Sequence, residues 1–544
     1  MWETNKKSLD IVLFVYYIHR MKTIGQILKM AEDEESPIIS ELIDYIKQQG
    51  DMIQKLKDEL AELKGQKAKP KIKPSNLDKK TAIKKNTQGK KRPGSQKRSK
   101  TKQLEINEDK IVQPDLIPAG SEFKGYQDFI VQDLIIGNWN IRYRRARYKT
   151  PNGDYIIGGL PDHVSQNHFG STLTAFILYQ YYHGHVTQPL ILEQLREYGI
   201  CISSGQINSI ITENKDQYHA EKDEILSAGL KFSSHINVDD TGARHNGKNG
   251  YCTHIGNHFF AWFKSTDSKS RINFLQLLRC NHKDYVINDA AIEYMKQQRL
   301  PKYQLEKFQN QCFSTERNWK SFLFQNKIRK KRHKRIATEG ALLGSLLDHA
   351  WNQNLAIISD DAGQFNILTH ALCWVHAERT IQKLIGFTQK RKDQIESVRS
   401  DIWDLYSDLK KYQQGPTSGA KFDLNKRFDN IFGQKTGYAA LDLALNRILK
   451  NKSELLLVLE RPDIPLHNNL SESDIREYVK KRKISGSTRS SAGRACRDTF
   501  TSIKKTCRKL GVSFWDYLID RIETRKNIPS LSDLMVRKME EQVL

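Results

Sequence analysis

Residues 64–102 hold sixteen lysines and arginines against a single acid, Asp78, in a run rich in Pro, Gly and Ser. Such a stretch has too little apolar surface to offset the entropy of ordering it, so it reads as a linker and not as part of a core. It therefore divides the 544-residue chain into a short N-terminal part and a long C-terminal part that must fold separately. Upstream of it, Ile39, Ile46, Ile53 and Leu60 occupy one heptad position and Leu42, Leu56 and Leu63 the other, with Gln49 the single polar intruder. This spacing predicts a coiled coil over 35–65. β-branched residues at one position with leucine at the other favour a parallel dimer, and the buried glutamine fixes register. Gly50 weakens the helix, and an amphipathic helix packed on its own protein is the competing reading. Residues 1–34 read as an N-terminal helical segment. The apolar run "IVLFVYYI" at 11–18 lacks a strong basic flank and a small-residue cleavage site, so it is taken as helix or as a start extension before Met21, not as a signal peptide.

The chain as a whole carries 88 Lys and Arg against 63 Asp and Glu, a formal net charge of +25. Such a balance suits a phosphate-bearing partner, nucleic acid or an anionic membrane. Sixteen bases less one acid give the linker fifteen of those 25 charges, which makes it either a solvated spacer or an arm that lies on nucleic acid. No stretch reaches the roughly 18 apolar residues of a membrane span. Seven cysteines at irregular spacings do not make a disulfide framework, and a reducing cytosol fits them. The neighbours Cys252/His254, Cys280/His282 and Cys373/His376 lack the second pair that a zinc finger requires.

Residues 104–170 read as β-rich, with strands in "YQDFIVQDLIIG" and a hairpin about the "PNGD" turn of "IRYRRARYKTPNGDYIIGGLP". Residues 171–230 read as helical. Within them "TQPLILEQLREYGICISSGQINSII" forms two helices broken at Gly199, the second capped by Ser203 or Ser204, a shape that suits a helix-turn-helix on DNA as well as any helical hairpin. Further on, "KIRKKRHKR" places Arg329, Lys330, Lys331 and Arg332 in one basic cluster, a DNA-backbone contact or a solvated helix face.

Three acidic sites stand out. "INVDDTG" ends an alternating apolar strand in Asp239 and Asp240; "LAIISDDAGQF" runs a buried-type strand into Asp360 and Asp361; "IPLHNNLSESDIREYVKKRK" opens a helix with Glu472 in its first turn. Each has an ordinary explanation, as turn acids or, for Asn469 and Glu472, as a capping box. Together they would converge three carboxylates at one sheet edge, as needed to hold a pair of divalent ions about 3.5–4 Å apart at a phosphodiester. Only one of Asp239 and Asp240 can join, because successive strand residues face opposite ways.

The blocks "INVDDTGARHNGKNGYCTHIGN", "ISDDAGQFN…HALCWVHAER" and "LHNNLSESDIREYVKKRKISGSTRSSAGRA…LGVSFWDYL" resemble the catalytic blocks of the insertion-sequence 66 family of DDE transposases, and the likeness continues upstream through "ELAELKG", "RPGSQKRSK" and "FKGYQDFIVQDL". The resemblance implies an α/β fold: an RNase H-like catalytic core with helical insertions over 231–500, preceded by the coiled coil, the basic linker (66–103) and a mixed β and helical DNA-binding region, and followed by a helical tail over 501–544. It implies Asp239, Asp360 and Glu472 as catalytic, metal-holding residues, 121 and 112 residues apart, with Mg2+ or Mn2+, two ions, as cofactor. His376 matches a supporting histidine, and Asn468 and Asn469 match a pair that caps the helix and steadies its carboxylate. Arg476, Lys480, Lys481, Arg482 and Arg489 would hold the strand backbone. Implied partners are DNA, a second copy of the chain and accessory proteins of the element, with no membrane, in a bacterial cytoplasm. The family's arginine after the final Glu is Ser473 here, leaving Arg476 as the expected basic partner, and no cysteine cluster matches the zinc module of many relatives.

Overall fold

The computed structural model describes residues 106–115, most of 121–161, 168–349 and 351–543. The expected N-terminal helix, coiled coil and basic linker lie outside the described residues. The chain divides into two units, 1–132 and 133–544. In the first, the described residues form no helix or strand.

The second unit opens with a short hairpin, β1 (Arg147–Lys149) and β2 (Tyr155–Ile157), around the expected turn. Nothing among the described residues from 121 to 146 pairs as a strand, contrary to expectation. The alternation is there, but apolar side chains such as Phe129 and Ile135 stand exposed, and without a packed face alternation alone does not hold a strand. Four helices follow: α1 (Ser171–Tyr182), α2 (Gln188–Glu197), α3 (Ser204–Thr212) and α4 (Asp216–Phe232). Gly199 makes the α2–α3 turn with a φ of +74°, which a side chain would strain, and Ser203 caps α3 in a full capping box with Gln206.

Then come β3 (His235–Gly242), β4 (Tyr251–Gly256), β5 (Ala261–Thr266) and α5 (Arg271–Leu278). An insertion holds β6 (Tyr285–Ile287), α6 (Asp289–Gln297), β7 (Gln311–Phe313), α7 (Glu316–Gln325) and α8 (Lys331–Asp348). β8 (Ala356–Ser359), β9 (His370–Leu372) and α9 (Trp374–Gln382) lead into a helical layer of α10 (Gln389–Gln414), α11 (Ser418–Gly433) and α12 (Ala439–Lys450). The chain closes with α13 (Asn469–Ser485), α14 (Ser491–Leu510), α15 (Phe514–Ile522) and α16 (Leu531–Val543).

The central sheet is mixed, in the order β5-β4-β3-β8-β9: β3, β4 and β5 form an antiparallel meander, and β8 and β9 run parallel to β3. One face carries Ile236, Val238, Ile255 and Ile357 into a core shared with α1–α4, α8 and α14–α16. The other carries Ala356 and Ile358 against α9–α12, and Cys252 and Phe263 against Ile475 and Tyr478 of α13. The expected boundaries at 230/231 and 500/501 fall inside α4 and α14. The helices of 171–230 and the "tail" belong to the same core as the sheet, and Leu531 and Met535 are fully buried in it.

At the sheet's outer edge, α14 lies along β5. Thr506, Ser502 and Asp498, one helical turn apart, accept hydrogen bonds from the backbone N–H groups of Ala261, Phe263 and Ser265 at 3.2, 2.9 and 2.6 Å. Alternate strand residues and every fourth helix residue thus meet in register, since both repeats advance about 6–7 Å.

Candidate active site

Asp239 and Asp240 sit near the end of β3, and their partners in β4 show which way each faces. Asp239 lies opposite His254 and Asp240 opposite Thr253. The His254 ring, fully buried, bonds through Nδ1 to Ser471 Oγ at 2.6 Å and lies 3.2 Å through Nε2 from Asp474 Oδ2, both on α13. Asp239 therefore shares the face that α13 covers. Asp240 turns the other way, accepting from Thr253 Oγ1 (2.5 Å) and Gln364 Nε2 (3.0 Å).

The parallel register pairs His235 with Ala356 and Asn237 with Ile358. Carried on by two residues, the same offset sets Asp360 beside Asp239. Its neighbour Asp361 is committed elsewhere, to the Arg447 guanidinium of α12. Glu472 reaches the cluster from the first turn of α13. The start of that helix is fixed by Asn468, not by the expected cap: its side chain makes no capping bond. Instead Asn468 Nδ2 donates to the Val238 carbonyl (2.8 Å), Oδ1 accepts from Asn237 Nδ2 (2.9 Å), and its backbone N–H points at Cys373 Sγ (3.2 Å). One buried amide thus ties β3, the start of α9 and the helix that carries Glu472.

The electrostatics follow from this convergence. Burial pushes the Asp239 carboxyl up to about 7; a hydrogen bond from the Asp240 N–H opposes the rise, and the negative charges of Asp360, Asp240 and Glu472 add to it. Asp240 is also raised, first by burial, although its bonds to Thr253 and Gln364 and the charge of Lys269 pull the other way.

His376 and Arg379, one turn apart on α9, flank Glu472. His376 Nε2 is 3.6 Å and Arg379 Nη1 3.5 Å from Glu472 Oε1, while Arg476 Nη2 is 4.0 Å from Oε2. The closest cation to Glu472 is therefore Arg379, not the expected Arg476. Sequence reading missed Arg379, although its i+3 spacing from His376 on a helix was the available signal. Gln364 and the tying role of Asn468 were missed too, since neither depends on local spacing.

The basic residues divide in two. Arg476 and Arg489 are exposed; Lys480 is exposed but near Glu477. Arg482 donates to Thr241 Oγ1 (3.3 Å) and the Gly242 carbonyl, anchoring α13 to the end of β3. Lys481 corrects the expectation outright. It is 3% exposed, donates to the Tyr181 carbonyl at 2.6 Å and lies over the Tyr181 ring. Burial, with the charges of Arg497 and Lys504, lowers its ammonium to about 7. Arg329, Lys330, Lys331 and Arg332 are exposed at the start of α8. The outward positions of α3 carry Ser204, Gln206 and Asn208 and no cation.

The fold and the site thus define an α/β protein in which acidic side chains from the ends of two parallel strands and from one helix converge beside a mixed sheet. Residues 356–495 match the family described as Transposase IS66 family. The uncharacterized protein y4jO of Sinorhizobium fredii is 45% identical over 303 residues, which cover 55% of this chain and 94% of that protein. The chain belongs to the IS66 transposase family. The family match spans Asp360, His376 and Glu472 but begins after Asp239. No helix among the described residues is long and apolar enough to cross a membrane.

Proposed function

We propose that the chain is a metal-dependent DNA transposase with an RNase H-like core, in which Asp239, Asp360 and Glu472 are the catalytic carboxylates. The observation that carries this reading is the convergence of carboxylates: the β3–β8 register sets Asp360 beside Asp239, and the first turn of α13 brings Glu472 near enough for both charges to act on the buried Asp239. The strand order, an antiparallel meander followed by two parallel strands, supports the RNase H-like assignment.

A donor set made of carboxylate oxygens suits hard divalent ions, so Asp239, Asp360 and Glu472 would hold Mg2+ or Mn2+, two ions as the family resemblance implies. Such ions supply charge neutralisation at the attacking and leaving oxygens of a phosphodiester. The chain's own residues do the positioning. Asn468 sets Glu472 against β3, His376 Nε2 accepts from Arg379 Nη1 at 3.3 Å and so steadies the guanidinium beside the Glu472 carboxylate, and Arg379 offers its fork to a phosphate oxygen. The reaction is in-line attack on transposon ends, first by water and then by the freed 3′-hydroxyl on target DNA. The coiled coil at 35–65 would pair two copies, with the linker lying on DNA and accessory proteins of the element as further partners.

The test is cleavage and joining of DNA carrying the element's own ends, in Mg2+ or Mn2+ with accessory proteins supplied. Cleaved and joined products bear the reading out. Cleavage without joining selects a nuclease, and binding with neither selects a silent DNA-binding protein descended from a transposase. The two kinds of basic residue make a sharper prediction. Arg489→Ala should reduce the slope of log affinity against log salt by about 1, the value for one phosphate contact. Lys481→Met should leave it unchanged, and a matching drop for Lys481→Met would show that this ammonium reaches DNA.

A further inference from the structure

We propose that His282, Asp284 and His349 form a binding site for a zinc-class divalent ion, separate in residues and in chemistry from the carboxylate cluster. Each side chain presents one ligand atom, and the three atoms lie within 4.8 Å of one another. His349 Nε2 sits 3.0 and 3.1 Å from the two Asp284 carboxylate oxygens. The His282 and His349 rings stack with centroids 3.6 Å apart and planes 13° from parallel. The lone pairs of stacked rings run in parallel planes, so one of these two exposed rings must turn out of the stack for both to reach a single ion.

Two imidazole nitrogens and one carboxylate oxygen, with a fourth position left for water, are the donors of a borderline ion such as Zn2+, whereas Mg2+ prefers oxygen alone. The segments that bring the ligands together are locked. His282 and Asp284 lead into β6, and His349 ends α8. The two backbones touch at Gly344, where a Cβ would come within 2.2 Å of the Val286 carbonyl oxygen. Asn288 Nδ2 donates to the Gly344 carbonyl at 3.1 Å, and the Arg279 guanidinium holds the Asp284 carbonyl. An ion here would clasp the two ends of the insertion. The site escapes a search for zinc-finger spacing because the partner of His282 is not a second cysteine pair but a histidine at the far end of α8.

Zinc binding to the full-length chain, stripped by chelator and then titrated with Zn2+ in a large excess of Mg2+, tests the proposal. Unmodified protein should bind one equivalent more than His282→Ala or His349→Ala, or bind it at least about tenfold more tightly. Both histidines are exposed, so the variants should melt like the unmodified chain in chelator. Zn2+ should raise the melting temperature of the unmodified chain alone. Lys283→Ala should behave as unmodified. Equal stoichiometry and affinity in both histidine variants would overturn the site.

Discussion

Asp239→Asn is expected to abolish strand cleavage while making the metal-free protein more stable at pH 8. Loss of a group that acts directly on transition-state charge costs on the order of a thousandfold or more in rate. The stability change has the opposite sign because the carboxyl is held at about 7 in the folded chain, against roughly 3.9 when unfolded. Folded protein therefore binds this proton more tightly than unfolded protein does. The penalty for ionising Asp239 is nil below about pH 4, grows between the two values and is complete above pH 7. At about 1.4 kcal/mol per unit, its ceiling is about 4 kcal/mol, reduced by whatever water reaches the site. Melting curves of both proteins in chelator, from pH 4 to 8.5, should coincide at the acid end, separate progressively as the pH rises and keep a constant gap above pH 7. Added Mg2+ should then stabilise the unmodified chain and leave the variant where it was. Curves that coincide across the whole range would show that Asp239 carries no unbalanced charge. Asp240→Asn, on the far face of β3, should keep most of the activity.

The second large effect belongs to Asp474, two residues beyond Glu472 and pointing inward. Its carboxylate meets Lys505 Nζ at 2.9 Å and Lys509 Nζ at 2.8 Å, with His254 beside it. Burial alone would raise this carboxyl, but the His254 hydrogen bond and the two ammonium charges outweigh burial and hold it well below the usual carboxylate range. Its stabilisation is therefore present at neutral pH and lost as pH falls below the unfolded value near 4. Asp474→Asn leaves two lysines without their counter-charge, and breaking a buried pair in this way costs about 3–5 kcal/mol. Urea midpoints at pH 7 should show the loss. Cleavage should fall as well, because α13 carries Glu472 on its opposite side. A variant as stable as the unmodified chain would mean that water already solvates the pair.

Local pattern made the strands and helices of the site legible in the sequence, and the packing of the chain decided the rest. "INVDDTG" and "LAIISDD" announced two strands ending in acids, and Glu472 was readable as a first-turn residue of α13. The choice of Asp360 over Asp361 rested on family blocks; in the structure the β3–β8 register sets Asp360 beside Asp239, while Asp361 is held by Arg447, 86 residues away. Lys481 looked like one more member of an exposed basic stripe, since nothing in "YVKKRK" says that α1 lies over it. Asn468 looked like a cap because Asn before a helix usually is one, but the carbonyl of Val238, 230 residues back, takes its amide instead. The strand expected in "YQDFIVQDLIIG" had the right alternation, but none of its described residues pairs with a neighbour.

The three contacts from α14 to β5 decide how the molecule meets others of its kind. An edge strand with free N–H groups is a template on which a second chain can add a strand. Here those groups are occupied by a threonine, a serine and an aspartate from the same polypeptide, and the donors face inward. Copies of this protein should therefore not join sheet to sheet along β5. A chain cut at residue 500 would keep Asp498 but lose Ser502 and Thr506, opening two rungs of that edge. Such a truncation should appear in the insoluble fraction, where the full-length chain stays in solution.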